Sequence, residues 1–178
     1  MPNWVENALV IETNHPVLVD MLVSFKEKID KGIDAPFFET FAPIGEWDYD
    51  KALQKWGCKW DASNLVIVNL QEKGDGLVFG VCFTTPWDQP YLFLDHLFKT
   101  FGKDEEFYLD IENKWLEEQG YFSIDRGNGD ADDIVNIYDL YQAKDQKTLD
   151  MIDQTFCIYD NGWFDHLEED EEDEEEDD

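Results

Sequence analysis

The stretch Leu65-Val66-Ile67-Val68-Asn69-Leu70-Gln71-Glu72-Lys73-Gly74-Asp75-Gly76-Leu77-Val78-Phe79-Gly80-Val81-Cys82-Phe83 decides the fold class. Two runs rich in β-branched and aromatic residues flank Gly-Asp-Gly, the pattern of an antiparallel hairpin with a tight turn. Strands are therefore expected over residues 64–72 and 77–85. Toward the N-terminus, Val5, Leu9 and Ile11 mark a strand over residues 5–12. Leu18, Met21, Leu22, Phe25 and Ile29 then fall at helical spacing behind Pro16, with Asn14 as the expected N-cap and Lys31-Gly32 as the stop. Residues 33–46 read as an irregular loop broken by Pro36, Pro43 and Gly45, and a short helix over 47–56 halts at Gly57. Toward the C-terminus, Trp87 to Phe101 reads as a helix with Leu94, Leu97, Phe98 and Phe101 on one face. A strand follows at Phe107–Ile111, a partner for it over 120–125, a further strand over Ile134–Tyr141, and a last short helix over Thr148–Phe156 with Leu149, Ile152 and Phe156 inward.

The core order of strand, helix, strand, strand, helix, strand is that of a ferredoxin-like split βαβ unit. The expected architecture is thus α+β: an antiparallel sheet with two helices on one face, extended by extra C-terminal strands and a short helix. An acidic domain over residues 1–166 precedes a polyacidic tail over 167–178. Within that tail the eleven residues from Glu168 to Asp178 are all acidic. Such a run buries no apolar surface and is expected to be disordered.

Charge narrows the function classes. The chain carries 43 acids against 13 bases, a net of −30. Residues 1–103 hold fifteen acids and nine bases, a net of −6, whereas residues 104–167 hold seventeen acids and four bases, a net of −13. A field of this sign disfavours direct contact with nucleic-acid phosphate and favours a basic partner. The charge also exceeds the net of about 2–8 that keeps a small domain soluble, and self-repulsion costs stability. Apolar residues nevertheless make up 43% of the chain and aromatics 15%, enough for a core. No apolar run approaches the ~20 residues of a membrane span, and the N-terminus has neither a basic nor an apolar leader segment. Cys58, Cys82 and Cys157 are odd in number and far apart, which argues against a disulfide framework and fits a reducing cytoplasm.

Three short stretches carry a resemblance. Met1-Pro2-Asn3-Trp4, Glu6-Asn7 and Leu9-Val10-Ile11 at the opening, Trp56-Gly57-Cys58-Lys59-Trp60-Asp61-Ala62 in the middle, and Phe83-Thr84-Thr85-Pro86-Trp87 with Pro90 after the hairpin together resemble the YubB-like family. Its members are plasmid and phage proteins described as having a ferredoxin-like domain. The likeness spans roughly residues 1–125. Val5 stands where that family often has a cysteine, Pro86 interrupts its threonine-tryptophan step, and the acidic tail lies outside its pattern. The family has no established catalytic residues. The resemblance implies a mobile genetic element acting in a bacterial host cytoplasm.

Candidate chemistry is sparse. Cys58 between Lys55 and Lys59 has the neighbours to lower a thiol pKa, but no histidine adjoins it in sequence to act as a base. Trp56, Trp60 and Asp61 form either a binding loop or a packing device, and aromatics more often pack. His15, His96 and His166 are too widely separated for a zinc site. The loop Asp125-Arg126-Gly127-Asn128-Gly129-Asp130-Ala131-Asp132-Asp133 is dense in carboxylates but fails the EF-hand pattern, so it reads as a solvated loop. No cofactor or metal is expected.

The reading that uses the acidic bias of 104–167 is a non-enzymatic inhibitor that mimics nucleic acid and occupies the basic groove of a host nucleic-acid-binding defence protein or nuclease. Its expected contact residues are Asp104, Glu105, Glu106, Tyr108, Asp110, Glu112, Trp115, Glu117, Glu118, Asp130, Asp132 and Asp133, with Tyr108 and Trp115 as apolar anchors. The alternatives are a non-catalytic adaptor for replication, transfer or assembly of the element, and an enzyme using scattered carboxylates or Cys58.

Overall fold

The computed structural model describes residues 3–165 and 167. Apart from Leu167, the polyacidic tail expected over 167–178 lies outside the described residues, as does His166. The chain divides into two compact units, Met1–Ile134 and Val135–Asp178.

The first unit is α+β. Its strands are β1 (Trp4–Thr13), β2 (Ser63–Lys73), β3 (Gly76–Pro86), β4 (Leu109–Glu117) and β5 (Tyr121–Asp125), and its helices are α1 (Pro16–Asp30), α2 (Phe37–Phe41), α3 (Tyr49–Trp56) and α4 (Tyr91–Phe101). The strands lie in the order β2-β3-β1-β4-β5. Every pairing along that series is antiparallel. Period-2 alternation sorts the side chains. Leu9 and Ile11 of β1, Phe79, Val81 and Phe83 of β3 and Ile111 of β4 join one core. Leu18, Leu22 and Phe25 of α1 and Phe93, Leu94, Leu97 and Phe101 of α4 are buried in that same core. The other sheet face carries Glu6, Val10 and Glu12 of β1 and Asp110 and Glu112 of β4.

Several boundaries differ from the sequence reading, each for a local physical reason. Residues 33–46 contain α2, whose five residues bury Phe37, Phe38 and Phe41. The carboxylate that caps it belongs to Asp61, which accepts the N–H groups of Phe38 and Glu39 at 2.8 Å. The N-cap of α1 is His15, not Asn14. Asn14 instead donates to the Asp75 carboxylate at 2.8 Å and accepts Tyr108 N–H at 2.8 Å, tying three segments together. Helix α4 begins at Tyr91, with Pro90 at ψ +54 as its N-cap, and Trp87 at φ +74 lies outside the helical region.

The second unit opens with the two-residue strand β6 (Val135–Asn136) and continues as α5 (Ile137–Gln142) and α6 (Gln146–Phe156). The strand expected over 134–141 is thus mostly helix. Asn136 caps α5 by accepting Tyr138 N–H, and Asp145 caps α6 by accepting Thr148 N–H. Ile137, Leu149, Ile152, Phe156, Ile158 and Phe164 are buried, and the Tyr141 and Phe164 rings stack at 4.5 Å. No helix among the described residues is long and apolar enough to cross a membrane.

Candidate partner-binding face

The second face of the first unit's sheet is open over β1 to β3 and the Asp110 end of β4, where it concentrates the acids of β1 and β4. Toward β5 the same face is covered, with Leu116, Phe122 and Ile124 buried. Glu12 is in register with Asp110, Val10 with Glu112, Ala8 with Lys114 and Glu6 with Leu116. Asp110 and Glu112, two residues apart on one strand, are separated by about 6.8 Å along it. Only two ion pairs among the described residues touch these acids: Lys73 Nζ reaches Glu12 at 2.7 Å, and Lys114 Nζ lies 3.9 Å from Glu112. Beside the acids is an exposed apolar strip. Val10 is 42% exposed, Val66 58% and Val68 62%. Val68 lies over Gly80, where an added Cβ would meet its methyl at 3.1 Å. An apolar centre with a charged border is the usual composition of a recognition surface.

The α4–β4 loop extends the acidic border. Asp104, Glu105 and Glu106 are exposed, and Asp104 accepts Glu106 N–H at 3.1 Å, which holds the loop turned. Thr13 donates to the Tyr108 carbonyl at 2.8 Å, so the loop is stitched to the end of β1. Asn14 brings Asp75 to the same end. The Glu12 carboxylate, hydrogen-bonded to Lys73, raises the lysine pKa and keeps it charged. Tyr108 is partly exposed, and desolvation, then the charges of Glu12 and Asp75, push its phenol pKa up.

The remaining expected contact residues separate from this group. Trp115 is 6% exposed. It points to the core side of β4, opposite Asn7 and Ser123, so it is a packing residue and cannot anchor a partner. Glu117 is half-buried, where desolvation raises its pKa even though Asn3 donates to it at 3.4 Å. Glu118 is exposed in the β4–β5 turn, about 27 Å along the strand direction from Asp110. Asp132 is held by Arg126 through contacts of 2.7 and 3.4 Å. Asp130 and Asp133 are exposed on the same loop. That loop is closed by its own bonds, Arg126 N–H to the Asp130 carbonyl and Asp132 N–H to the Ile124 carbonyl. Sequence reasoning missed Glu6, Glu12 and Asp75, because they lie in the mildly charged first half of the chain and reach the site only through strand pairing.

Of the other candidates Trp60 is exposed, and the rest are held by packing and backbone hydrogen bonds. Trp56 is buried and donates to the Ala42 carbonyl at 2.8 Å. Cys58 is buried, and burial, then Asp61 and Asp88, push its thiol far above the ordinary range, the reverse of an activated nucleophile. Asp61 also accepts Ala62 N–H, so its carboxylate is occupied by three backbone donors. His15 packs edge-on against Phe101 and Phe107. Among the described residues no group of three His, Cys, Asp or Glu side chains is arranged to hold a metal ion. Compared with family models, curated proteins and solved structures, the chain matches none.

Proposed function

We propose that this is a non-enzymatic protein of a phage or plasmid that binds a basic, nucleic-acid-binding host protein in the bacterial cytoplasm by imitating the charge of nucleic acid. The observation that carries the reading is the acid-bordered open face, with Glu12 opposite Asp110 and Glu112 beside them on a hydrogen-bonded sheet. The hydrogen-bonded sheet fixes the strand positions that carry these carboxylates, so binding has only their side chains to order. The exposed valines supply contact area that long-range charge lacks. The mobile-element origin rests on the YubB-like motifs at residues 1–11, 56–62 and 83–90. We read the first four strands as a ferredoxin-like split βαβ unit. Support comes from β3 lying between β1 and β2, β4 flanking β1, and α1 and α4 sharing one core.

The test is capture of host proteins by the full chain, followed by competition with duplex DNA. Charge reversal of Glu12, Asp110, Glu112 and Glu105 should abolish capture, and added salt should weaken it steeply, because screening shortens the reach of the field to ~8 Å. If duplex DNA fails to displace a partner that these reversals do release, mimicry is wrong and the adaptor reading takes its place.

A further inference from the structure

The opposite end of the sheet carries a concave surface. Trp4 pairs with Pro86 and Thr13 with Leu77, so the Pro86 end of β3 lies about 30 Å from the acidic end described above. There Tyr49, Leu53, Lys59, Pro86, Trp87 and Asp88 border a cleft of about 480 Å³. Trp87 is 57% exposed and adopts φ +74, a strained conformation for a bulky residue. Its backbone N–H is held by the Asn3 carbonyl at 2.6 Å. The exposed indole contributes little to the core, so core packing does not account for the strained conformation. Trp47, Tyr49, Trp60 and Tyr91 are also exposed. Gly57, at φ +83, lets the Tyr91 ring approach to where a Cβ would stand 2.9 Å away. Lys59 Nζ rests 4.4 Å from the Trp60 ring centre and 6.0 Å from that of Tyr49, bracing the wall.

We propose that this cleft binds a cationic, proline-containing peptide segment in the polyproline II conformation. Aromatic-walled grooves accept proline rings between their own rings, and the polyproline II helix reaches the site with little entropy left to lose. Its backbone carbonyls, which have no internal partners, suit the indole N–H of Trp87. Cationic flanks complement Asp88 in the cleft, Asp48 and Asp50 at the start of α3, and the net charge of −30. The same charges disfavour a nucleotide, whose phosphate would find one lysine already engaged with two rings. This site is independent of the acidic face.

The experiment uses the full-length protein and a fluorescein-labelled peptide of prolines flanked by arginines, followed by fluorescence anisotropy. A peptide with serines in place of the prolines is the charge-matched control, and adenosine and guanosine monophosphate are competitors. The proline peptide should bind saturably, and Trp87→Ala should weaken it by about tenfold or more. Trp87→Gly relieves the backbone strain, so it should lose binding while melting no lower than wild type. Asp110→Asn with Glu12→Gln should leave the affinity within about twofold, since those residues lie beyond the ~8 Å reach of screened charge. Equal binding of the serine peptide, displacement by a nucleotide, or unchanged affinity in a folded Trp87→Gly protein would each overturn the proposal.

Discussion

Glu12 and Asp110 face each other across the β1–β4 ladder, two carboxylates in register on one sheet face, with Lys73 bridged to Glu12 at 2.7 Å. Like charges directly opposite destabilise a sheet pair, by an amount comparable to the 0.2–1 kcal/mol that a favourable pair contributes. Asp110→Thr should therefore raise the unfolding free energy by about 0.2–1 kcal/mol in chemical denaturation. The gain should shrink as salt is added, since screening already weakens the repulsion. Lys73→Gln should have the opposite sign, because it removes the bridge to Glu12. A fall in stability for Asp110→Thr would show that the pair is held favourably.

Within the core, Asn113 donates to the Asn7 side chain at 3.0 Å, and Asn7 in turn donates to Thr85 at 3.0 Å. All three residues are buried. Asn113→Val strips the Asn7 oxygen of its donor and should cost about 1–3 kcal/mol. Asn7→Val combined with Asn113→Val should cost clearly less than the two single losses added, because the double change leaves neither amide stranded. Thr85 remains satisfied in both, since its hydroxyl donates to the Asp88 carbonyl. Equilibrium denaturation of the double-mutant cycle decides this, and strict additivity would sink the idea of a linked relay.

Gly76 opens β3 where the chain crowds the end of β1. A Cβ there would lie 2.2 Å from the Thr13 carbonyl oxygen and 2.6 Å from the Tyr108 hydroxyl. Backbone cannot give way as a flexible side chain can, so Gly76→Ala should cost about 1–3 kcal/mol. Gly74→Ala is the comparison: it has open space around it but φ +61, so it meets only the backbone penalty, about 1 kcal/mol. Thermal melts of both variants should rank Gly76→Ala lower.

Acidity should stabilise the protein over part of the carboxylate range. Burial raises the folded-state pKa of Asp61, of Glu117 and of Asp125 from ordinary values of 3.8, 4.5 and 3.8. A raised value means that the folded state binds the proton more tightly than the unfolded chain. This contribution is complete below the ordinary values and is lost as pH rises through the raised ones. Self-repulsion of a net −30 adds to the loss as carboxylates ionise. The melting temperature should therefore be higher at about pH 4, near the ordinary values, than at about pH 8. Asp125→Asn should flatten that slope, and a melting temperature that climbs toward alkaline pH would contradict the assignment.

Several features were legible before any coordinates, because they depend on neighbours in sequence. The β2–β3 hairpin follows from its Gly-Asp-Gly turn and flanking strand formers, and the inward stripe of α1 from Leu18, Leu22 and Phe25 at helical spacing. The stop of α3 at Gly57 follows from a left-handed position, φ +83, that glycine alone takes cheaply. The acidity of the whole chain needed only counting.

Other features depend on groups far apart in sequence. Helix α2 is too short to show a period, and Asp61, more than twenty residues onward, supplies its capping carboxylate. The residues after Ile134 held an ambiguous apolar pattern until the Asn136 cap turned them into helix. Trp115 falls at strand spacing from the buried Ile111, but the strand expected from the sequence stopped at Ile111, and only pairing that sets Trp115 against Asn7 and Ser123 carries β4 far enough to bury it. Composition thus determined that the molecule is strongly acidic. Only strand pairing decided which acids share a face, because Glu12 and Asp110 are ninety-eight positions apart and meet solely through the β1–β4 ladder.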